Sequence, residues 1–289
     1  MNDMMKQNET CAMSVVIVSY RNYKVLQDCL KSIVKFNDLQ DGLEVIVVEQ
    51  SPEGDLYSRL RSDFPWVRAI RNENRGFGAG NNVGVRAASG KYLLLLNPDT
   101  ILVEPVFRFA VDQFEHNANL GLFGVRLLNE NGERNQSFYF RKPYGILRGS
   151  LLYRFCDARD KFMPHAMYIT GADMFVRSDA FVKVGGFDER MFLYFEETYL
   201  CTRLNEAGYR IGYCPQRQIV HLEGQSTISV DVFRRRLDSL EVLCGDFGWD
   251  FPSMLRGMRR DREIKKLFGS RPDERAREIS EIDKRLGSK

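Results

Sequence analysis

The sequence lacks the features that mark disulfide-rich, zinc-binding or membrane-spanning proteins. None of its six cysteines forms a CxxC pair, which argues against a disulfide scaffold and a zinc cluster. They are Cys11, Cys29, Cys156, Cys201, Cys214 and Cys244. No apolar run approaches the ~20 residues of a membrane-spanning helix, and Met1–Met13 lacks the apolar stretch of a signal peptide. We therefore expect a cytoplasmic protein, at most peripheral at the inner face of the plasma membrane.

The sequence also lacks a large excess of either basic or acidic residues. The 42 Lys and Arg residues face 39 Asp and Glu residues, which gives a net charge of +3. Residues 232–289 contain 15 basic and 11 acidic side chains, so the preceding residues carry 27 and 28, or −1. This balance argues against a nucleic-acid partner. The apolar content of 44% excludes a disordered chain, and the length fits one large α/β domain or two smaller ones.

Apolar runs alternate with helical patterns in the first hundred residues. Met13–Ser19, Leu43–Val48 and Lys91–Leu96 have the continuous apolar character of strands that are buried on both faces of a parallel sheet. The helix predicted after the first strand has apolar residues at Leu26, Cys29, Leu30, Ile33 and Val34. This alternation predicts an α/β fold with a mostly parallel sheet, whose ligands lie at the carboxyl ends of the strands.

The second half of the chain is less regular. Residues 129–168 are predicted as strands with long loops, Met167–Val176 as one strand, and Glu197–Ala207 as a helix. Arg210–Tyr213 and Gln218–Leu222 are predicted as two short strands.

The patterns divide the chain into three parts. We predict a flexible N-terminus over residues 1–12, a main domain over residues 13–230, and a basic helical extension over residues 231–289.

Asn97-Pro98-Asp99-Thr100 closes a buried strand with a carboxylate. A carboxylate at this position suits Mg²⁺ or Mn²⁺ shared with a diphosphate. Asn-Pro-Asp is equally ordinary turn chemistry, so the motif alone favours a turn.

The segment 74–84, NRGFGAGNNVG, resembles a phosphate-binding loop. It fails as a dinucleotide fingerprint, because position 81 is Asn81 rather than glycine and because the segment follows a short third strand predicted at Val67–Ile70 rather than the first strand. Two interpretations stay open. The loop brings backbone and Arg75 close to a ligand, or its glycines pack tightly on the sheet.

An aromatic-rich segment precedes Glu196 and Glu197 at a helix start. Apolar surroundings raise the pKa of a carboxyl group and a helix N-terminus lowers it, a combination that suits a general base. Acids at a helix start are also favourable capping residues. His221 follows a predicted strand. A lone histidine is more often a packed core residue than a ligand, and the polar residues 223–227 that follow it shift this balance modestly toward a site.

Taken together and in this order, the motifs resemble the family 2 glycosyltransferases of GT-A fold, in the rhamnosyltransferase-like branch. The matching segments are SVVIVSY at 14–20, EVIVVEQS at 44–51, NRGFGAGNNVG at 74–84, YLLLLNPDT at 92–100, GAD at 171–173, VGGFDERMFLYFEET at 184–198 and AGYRIGYCPQRQIVHLEGQST at 207–227.

The resemblance implies an inverting, divalent-cation-dependent transfer from a nucleotide-sugar donor to a hydroxyl of a saccharide or lipid-linked saccharide. Rhamnose from dTDP-rhamnose is the favoured donor, UDP-hexose stays open, and the setting is bacterial surface polysaccharide synthesis. The implied donor-binding residues are Tyr20, Arg21, Glu49, Asn74, Arg75, Gly76, Asn97 and Gly171. The implied metal ligands are Asp99 and His221, and the implied catalytic base is Glu197, with Glu196 beside it.

The sequence departs from the family pattern at two places. Glu49-Gln50 stands where the family usually has Asp-Asn, and Tyr199 stands where it usually has an acid two residues after the base. These departures motivate an alternative, a catalytically impaired nucleotide-sugar binding protein or scaffold.

The basic surplus in the C-terminal part has two interpretations. Its arginines and lysines interleave with apolar residues and would bind an anionic membrane surface, or they form a solvated helical appendage or a dimer contact. They are Arg234, Arg235, Arg236, Arg256, Arg259, Arg260, Lys265 and Lys266.

Overall fold

A computed structural model describes residues 11–52, 54–142, 146–222, 230–268 and 271–287. Most of the predicted N-terminal segment and the polar residues 223–227 after His221 lie outside these ranges.

The described residues form an eight-stranded sheet with the strand order β3-β2-β1-β4-β9-β6-β10-β5, and β7 pairs with β8 separately. Strands β9 and β5 run antiparallel to their neighbours, and the other six strands of the sheet share one direction. The strands are β1 Met13–Ser19, β2 Leu43–Glu49, β3 Arg68–Arg71, β4 Tyr92–Leu96, β5 Thr100–Leu102, β6 Leu120–Leu128, β7 Phe138–Phe140, β8 Met167–Ile169, β9 Asp173–Arg177 and β10 Arg210–His221. The prediction of a mostly parallel sheet is confirmed.

Helices cover both faces of this sheet. They are α1 Tyr23–Lys35, α2 Gly54–Asp63, α3 Phe77–Ala87, α4 Phe107–His116, α5 Ile146–Ala158, α6 Ser178–Lys183, α7 Glu196–Glu206, α8 Val230–Asp246, α9 Phe251–Phe268 and α10 Pro272–Gly287. Strands β1 and β4 are buried along their whole length, as continuous apolar runs require. One core lies under α1 and α4 and another under α6 and α7.

Several local predictions were wrong. Met167–Val176 is two strands, β8 and β9, because a turn interrupts it. The two short strands predicted between 210 and 222 are one strand, β10, with an irregularity between Cys214 and Gln218. Helix α5 occupies part of the region predicted as strands and loops. Val34 is 58% exposed rather than facing the core, because the apolar stripe of α1 is narrower than its run of apolar residues.

The C-terminal helices α8, α9 and α10 pack on one another around a third apolar core. Phe233 and Leu240 from α8 and Ile282 from α10 are buried in it, together with Met191 and Tyr199 from the main sheet domain. The helices are therefore attached at α7 and the segment before it. In the parts of the chain described above, no helix is long and apolar enough to span a membrane.

Candidate active site

The carboxyl ends of the parallel strands meet at one edge of the sheet. Strands β1, β2 and β4 end there at Ser19, Glu49 and Leu96, and β10 ends there at His221. Because β9 runs antiparallel to β4, with Asp173 opposite Leu96, its beginning lies at the same edge. Most of the residues predicted to form the site therefore belong to this edge.

A cavity of about 470 Å³ opens beyond β1 and β2, within the size range of small-ligand sites. Its lining residues are Tyr20, Gln50, Ser51, Pro52, Arg71, Asn72, Glu73 and Asn74. Tyr20, which is 43% exposed, and Asn74 were predicted to bind the donor. Arg71 and Asn72 were missed, although they immediately follow a predicted parallel strand.

Three predicted donor-binding residues lie beside this cavity and are held by partners within the protein. The Glu49 carboxylate is buried and accepts a hydrogen bond from the backbone N–H of Ser51 (2.8 Å). The backbone N–H of Arg21 donates to the Ser51 hydroxyl (2.7 Å). Arg75 forms an ion pair with Glu189 (3.4 Å). These contacts hold the cavity wall in shape.

The glycines of α3 serve close packing. A Cβ at Gly80 would lie 2.7 Å from Gln50 Nε2, and one at Gly84 would overlap the Val16 side chain. Gly76 has φ 108° and touches the backbone of Phe192. Of the two interpretations of this segment, the structure favours packing on the sheet for the glycines inside the helix.

Asp99 and His221 meet where β5 pairs with β10. Thr100 is opposite His221 in the antiparallel register, and Asp99 Oδ1 lies 3.3 Å from His221 Nε2. Asn97 forms the turn before β5, because its carbonyl oxygen accepts a hydrogen bond from the Thr100 hydroxyl (2.7 Å). The turn predicted for this motif is present, and it carries the carboxylate to the histidine.

The Asp99–His221 pair fits a divalent cation. Two ligand atoms ~2.1 Å from one ion and at right angles are about 3.0 Å apart, close to the observed 3.3 Å. Within the described residues, no group of three or more His, Cys, Asp or Glu side chains could hold a metal. A cation at this pair would therefore take further oxygen ligands from a diphosphate and water.

Glu196 and Glu197 begin helix α7 side by side. Glu196 is 3% exposed, and its Oε2 has no hydrogen-bond partner among the described residues. Burial, with the neighbouring Glu197 charge, raises the pKa of Glu196 well above its usual range. Glu197 is partly exposed. Burial raises its pKa as well, opposed by hydrogen bonds from backbone N–H groups, including that of Gly171.

Gly171 connects this acidic pair to the Asp99 turn. A Cβ at Gly171 would lie 3.1 Å from Glu197 Oε1, so Gly171 contacts the acidic pair. The next residue, Ala172, accepts a hydrogen bond from the backbone N–H of Asn97 (3.0 Å). The turn that contains Gly171 therefore adjoins the turn that contains Asp99, and Glu197 and Asp99 lie at the same edge of the sheet.

Comparison with known proteins identifies the family. The model of the family "Glycosyl transferase family 2" matches residues 14–183. The chain is 25% identical to Rhamnosyltransferase WbbL of Escherichia coli K12 over 263 residues, which cover 86% of this chain and 93% of that protein.

Two solved structures show the fold. One is the mannosyltransferase PcManGT of Pyrobaculum calidifontis in complex with GDP-Man and Mn²⁺, with a TM-score of 0.61 and 15% identity over 96% of this chain and 87% of that one. The other is GalNAc-T7 with UDP, GalNAc and Mn²⁺, with a TM-score of 0.58 and 15% identity over 83% of this chain and 51% of that one. The fold is thus the GT-A fold that the motifs predicted, and the chain belongs to glycosyl transferase family 2.

Proposed function

We propose that this glycosyltransferase moves a sugar, with inversion, from a nucleoside-diphosphate donor to an acceptor hydroxyl in surface polysaccharide synthesis. The observation that carries the proposal is the pairing of two sites at one sheet edge: a carboxylate–imidazole pair and a partly exposed glutamate of raised pKa. The cavity beyond β1 and β2 supplies room for the nucleoside.

Asp99 and His221 would hold a divalent cation at the diphosphate end of the donor. Departure of the nucleoside diphosphate builds negative charge, and a bound Mg²⁺ or Mn²⁺ supplies the opposing charge. The Mn²⁺ in both solved relatives supports a cation here, and the oxygen and imidazole ligands accept either ion.

Glu197 accepts the proton of the attacking hydroxyl. Its raised pKa makes it a stronger base than an ordinary carboxylate. The Gly171 N–H orients the carboxylate, and burial together with the neighbouring Glu197 charge disfavours the charged form of Glu196 beside it.

The favoured donor is dTDP-rhamnose, and the acceptor is a saccharide or lipid-linked saccharide. Similarity to Rhamnosyltransferase WbbL along nearly its whole length supports rhamnose over other sugars.

We also propose peripheral membrane contact through α9, on which Ile264 and Leu267 are exposed among basic residues.

A transfer assay with dTDP-rhamnose and UDP-hexoses, with and without Mn²⁺, tests the proposal. Glu197→Gln should lower kcat by at least ~10²-fold and leave nucleoside-diphosphate binding unchanged, because the side chain keeps its shape and loses its basicity. Glu206→Gln, at the exposed end of the same helix, is the matched control. Donor binding without turnover in the wild-type protein would instead support the catalytically impaired binding protein or scaffold.

A further inference from the structure

Two consecutive residues before the acidic pair have a strained backbone. Tyr194 and Phe195 have φ values of 71° and 70°, and Phe195 immediately precedes helix α7. A left-handed conformation is unfavourable for a residue with a side chain, and it persists only where neighbouring groups hold it. This turn sets the direction in which the side chains of Glu196 and Glu197 point from the start of helix α7.

Helix α8 contacts this turn along four consecutive residues. The Arg236 guanidinium lies 4.9 Å from the ring centre of Tyr194 and 5.6 Å from that of Phe195. One turn along the helix, the Ser239 hydroxyl donates to the carbonyl oxygen of Leu193 (3.1 Å). Arg235 lies 3.8 Å above the ring of Phe192.

The end of α8 holds the same segment on both sides of the turn. Asp246 accepts a hydrogen bond from the Tyr199 hydroxyl (2.7 Å), one turn into α7. Asp246 also pairs with Arg190, which precedes the turn. The segment from 190 to 199 is therefore tied to α8 at both ends and at its middle.

Arg236 is also the cation that acts on both glutamates. Its charge lowers the pKa of Glu196 and Glu197, against the burial that raises them. The other ionisable groups that interact with the pair are Tyr168 on β8, Cys201 on α7 and Tyr194. The remaining contribution comes from backbone N–H groups, including that of Gly171.

We propose that Arg236 is a positioning residue for transfer, because its guanidinium, which lies over the rings of Tyr194 and Phe195, fixes the turn that aims Glu197 at the acceptor hydroxyl. The inference rests on the proposed function and adds to it. It makes α8, 39 residues away along the chain, a structural part of the catalytic centre.

The test compares Arg236→Met and Arg236→Lys with Arg234→Met in the full-length enzyme. Arg234 lies on the same helix and pairs with Glu281, so its replacement removes an equal charge away from the turn. For Arg236→Met we expect kcat to fall ~10- to 100-fold and the acidic limb of the pH–kcat profile to move to higher pH. Arg236→Lys should keep the profile and lose part of kcat, because lysine keeps the charge without the planar stacking. Nucleoside-diphosphate affinity should be unchanged in all three variants.

The outcomes separate this inference from the proposed function. A wild-type enzyme without transfer activity overturns both. An active wild type with Arg236→Met retaining its kcat and pH profile, or losing no more than Arg234→Met, overturns the inference alone. If Arg236→Met does not fold, Arg236→Lys decides the question, and a kcat of Arg236→Lys equal to that of the wild type overturns the inference.

Discussion

Replacing Gly76 with alanine should force helix α3 away from the segment that leads into α7. The backbone at Gly76 has φ 108° and ψ 170°, a region that essentially only glycine occupies. A Cβ there would overlap the carbonyl oxygen of Phe192 and lie 2.8 Å from its Cα. Phe77 donates its backbone N–H to the same oxygen (3.0 Å), so the variant must break this hydrogen bond or move one backbone.

The expected loss of stability is the sum of three effects. The backbone conformation costs alanine ~1–3 kcal/mol, the overlap ~1–3 kcal/mol, and the lost hydrogen bond ~0.5–1.5 kcal/mol. Because these effects partly relieve one another, we expect the free energy of unfolding to fall by less than their sum, about 2–6 kcal/mol. Catalysis should fall as well, because Phe192 belongs to the segment that positions Glu197.

Gly185→Ala is the matched control. Gly185 also has a positive φ of 86°, but no described atom lies within 4 Å of a Cβ built there, so alanine incurs only the conformational cost of ~1–2 kcal/mol. Urea denaturation followed by circular dichroism measures both variants, and the transfer assay gives their kcat. Equal destabilisation of the two variants would refute the role assigned to the Gly76–Phe192 contact.

Two further predictions concern stability and membrane contact. Burial raises the pKa of Asp173 well above its usual range, and the hydrogen bond from the Val125 N–H opposes this shift. The folded protein therefore loses stability as the pH rises above ~3.9, the pKa of aspartate in the unfolded chain. The loss is at most ~1.4 kcal/mol per pH unit. Asp173→Asn should remove this loss, so that its melting temperature gains on that of the wild type as the pH rises above ~3.9. Asp179→Asn, at an exposed position, should give no such gain, and parallel curves for wild type and Asp173→Asn would contradict the prediction. Ile264→Asp combined with Leu267→Asp should abolish flotation with anionic vesicles at unchanged kcat, and flotation equal to wild type would exclude α9 as the contact.

The strands, and the helix that begins with the acidic pair, were predictable because their sequence patterns are local. Met13–Ser19 and Tyr92–Leu96 are continuous apolar runs, and such runs stay strands when both faces are covered. The Asp99–His221 contact followed only from the family resemblance. The two residues are 122 positions apart, and the pairing of β5 with β10 that joins them has no sequence signature.

The role of α8 was not predictable from its own residues. Arg235 and Arg236 lie in a run of three arginines that is typical of a solvated or membrane-facing surface. Only the fold brings the rings of residues 192–195 against this run. The sequence feature that pointed to such a contact was the aromatic-rich segment that ends at the two acids, because rings at the surface need another part of the protein to cover them.

The tyrosine at position 199 has a structural explanation that argues against an impaired enzyme. Residues two apart on a helix point ~200° away from each other, so Glu197 and Tyr199 cannot face the same cleft. Tyr199 packs against Phe247 (5.0 Å between ring centres) and donates to Asp246, both contributed by the C-terminal helical part of the chain. An acid at position 199 would face the Asp246 carboxylate and be repelled by it, whereas tyrosine supplies a hydrogen-bond donor and an apolar ring. The departure at Tyr199 therefore matches the way this chain attaches α8 to α7, and it leaves the carboxylate of Glu197 in place.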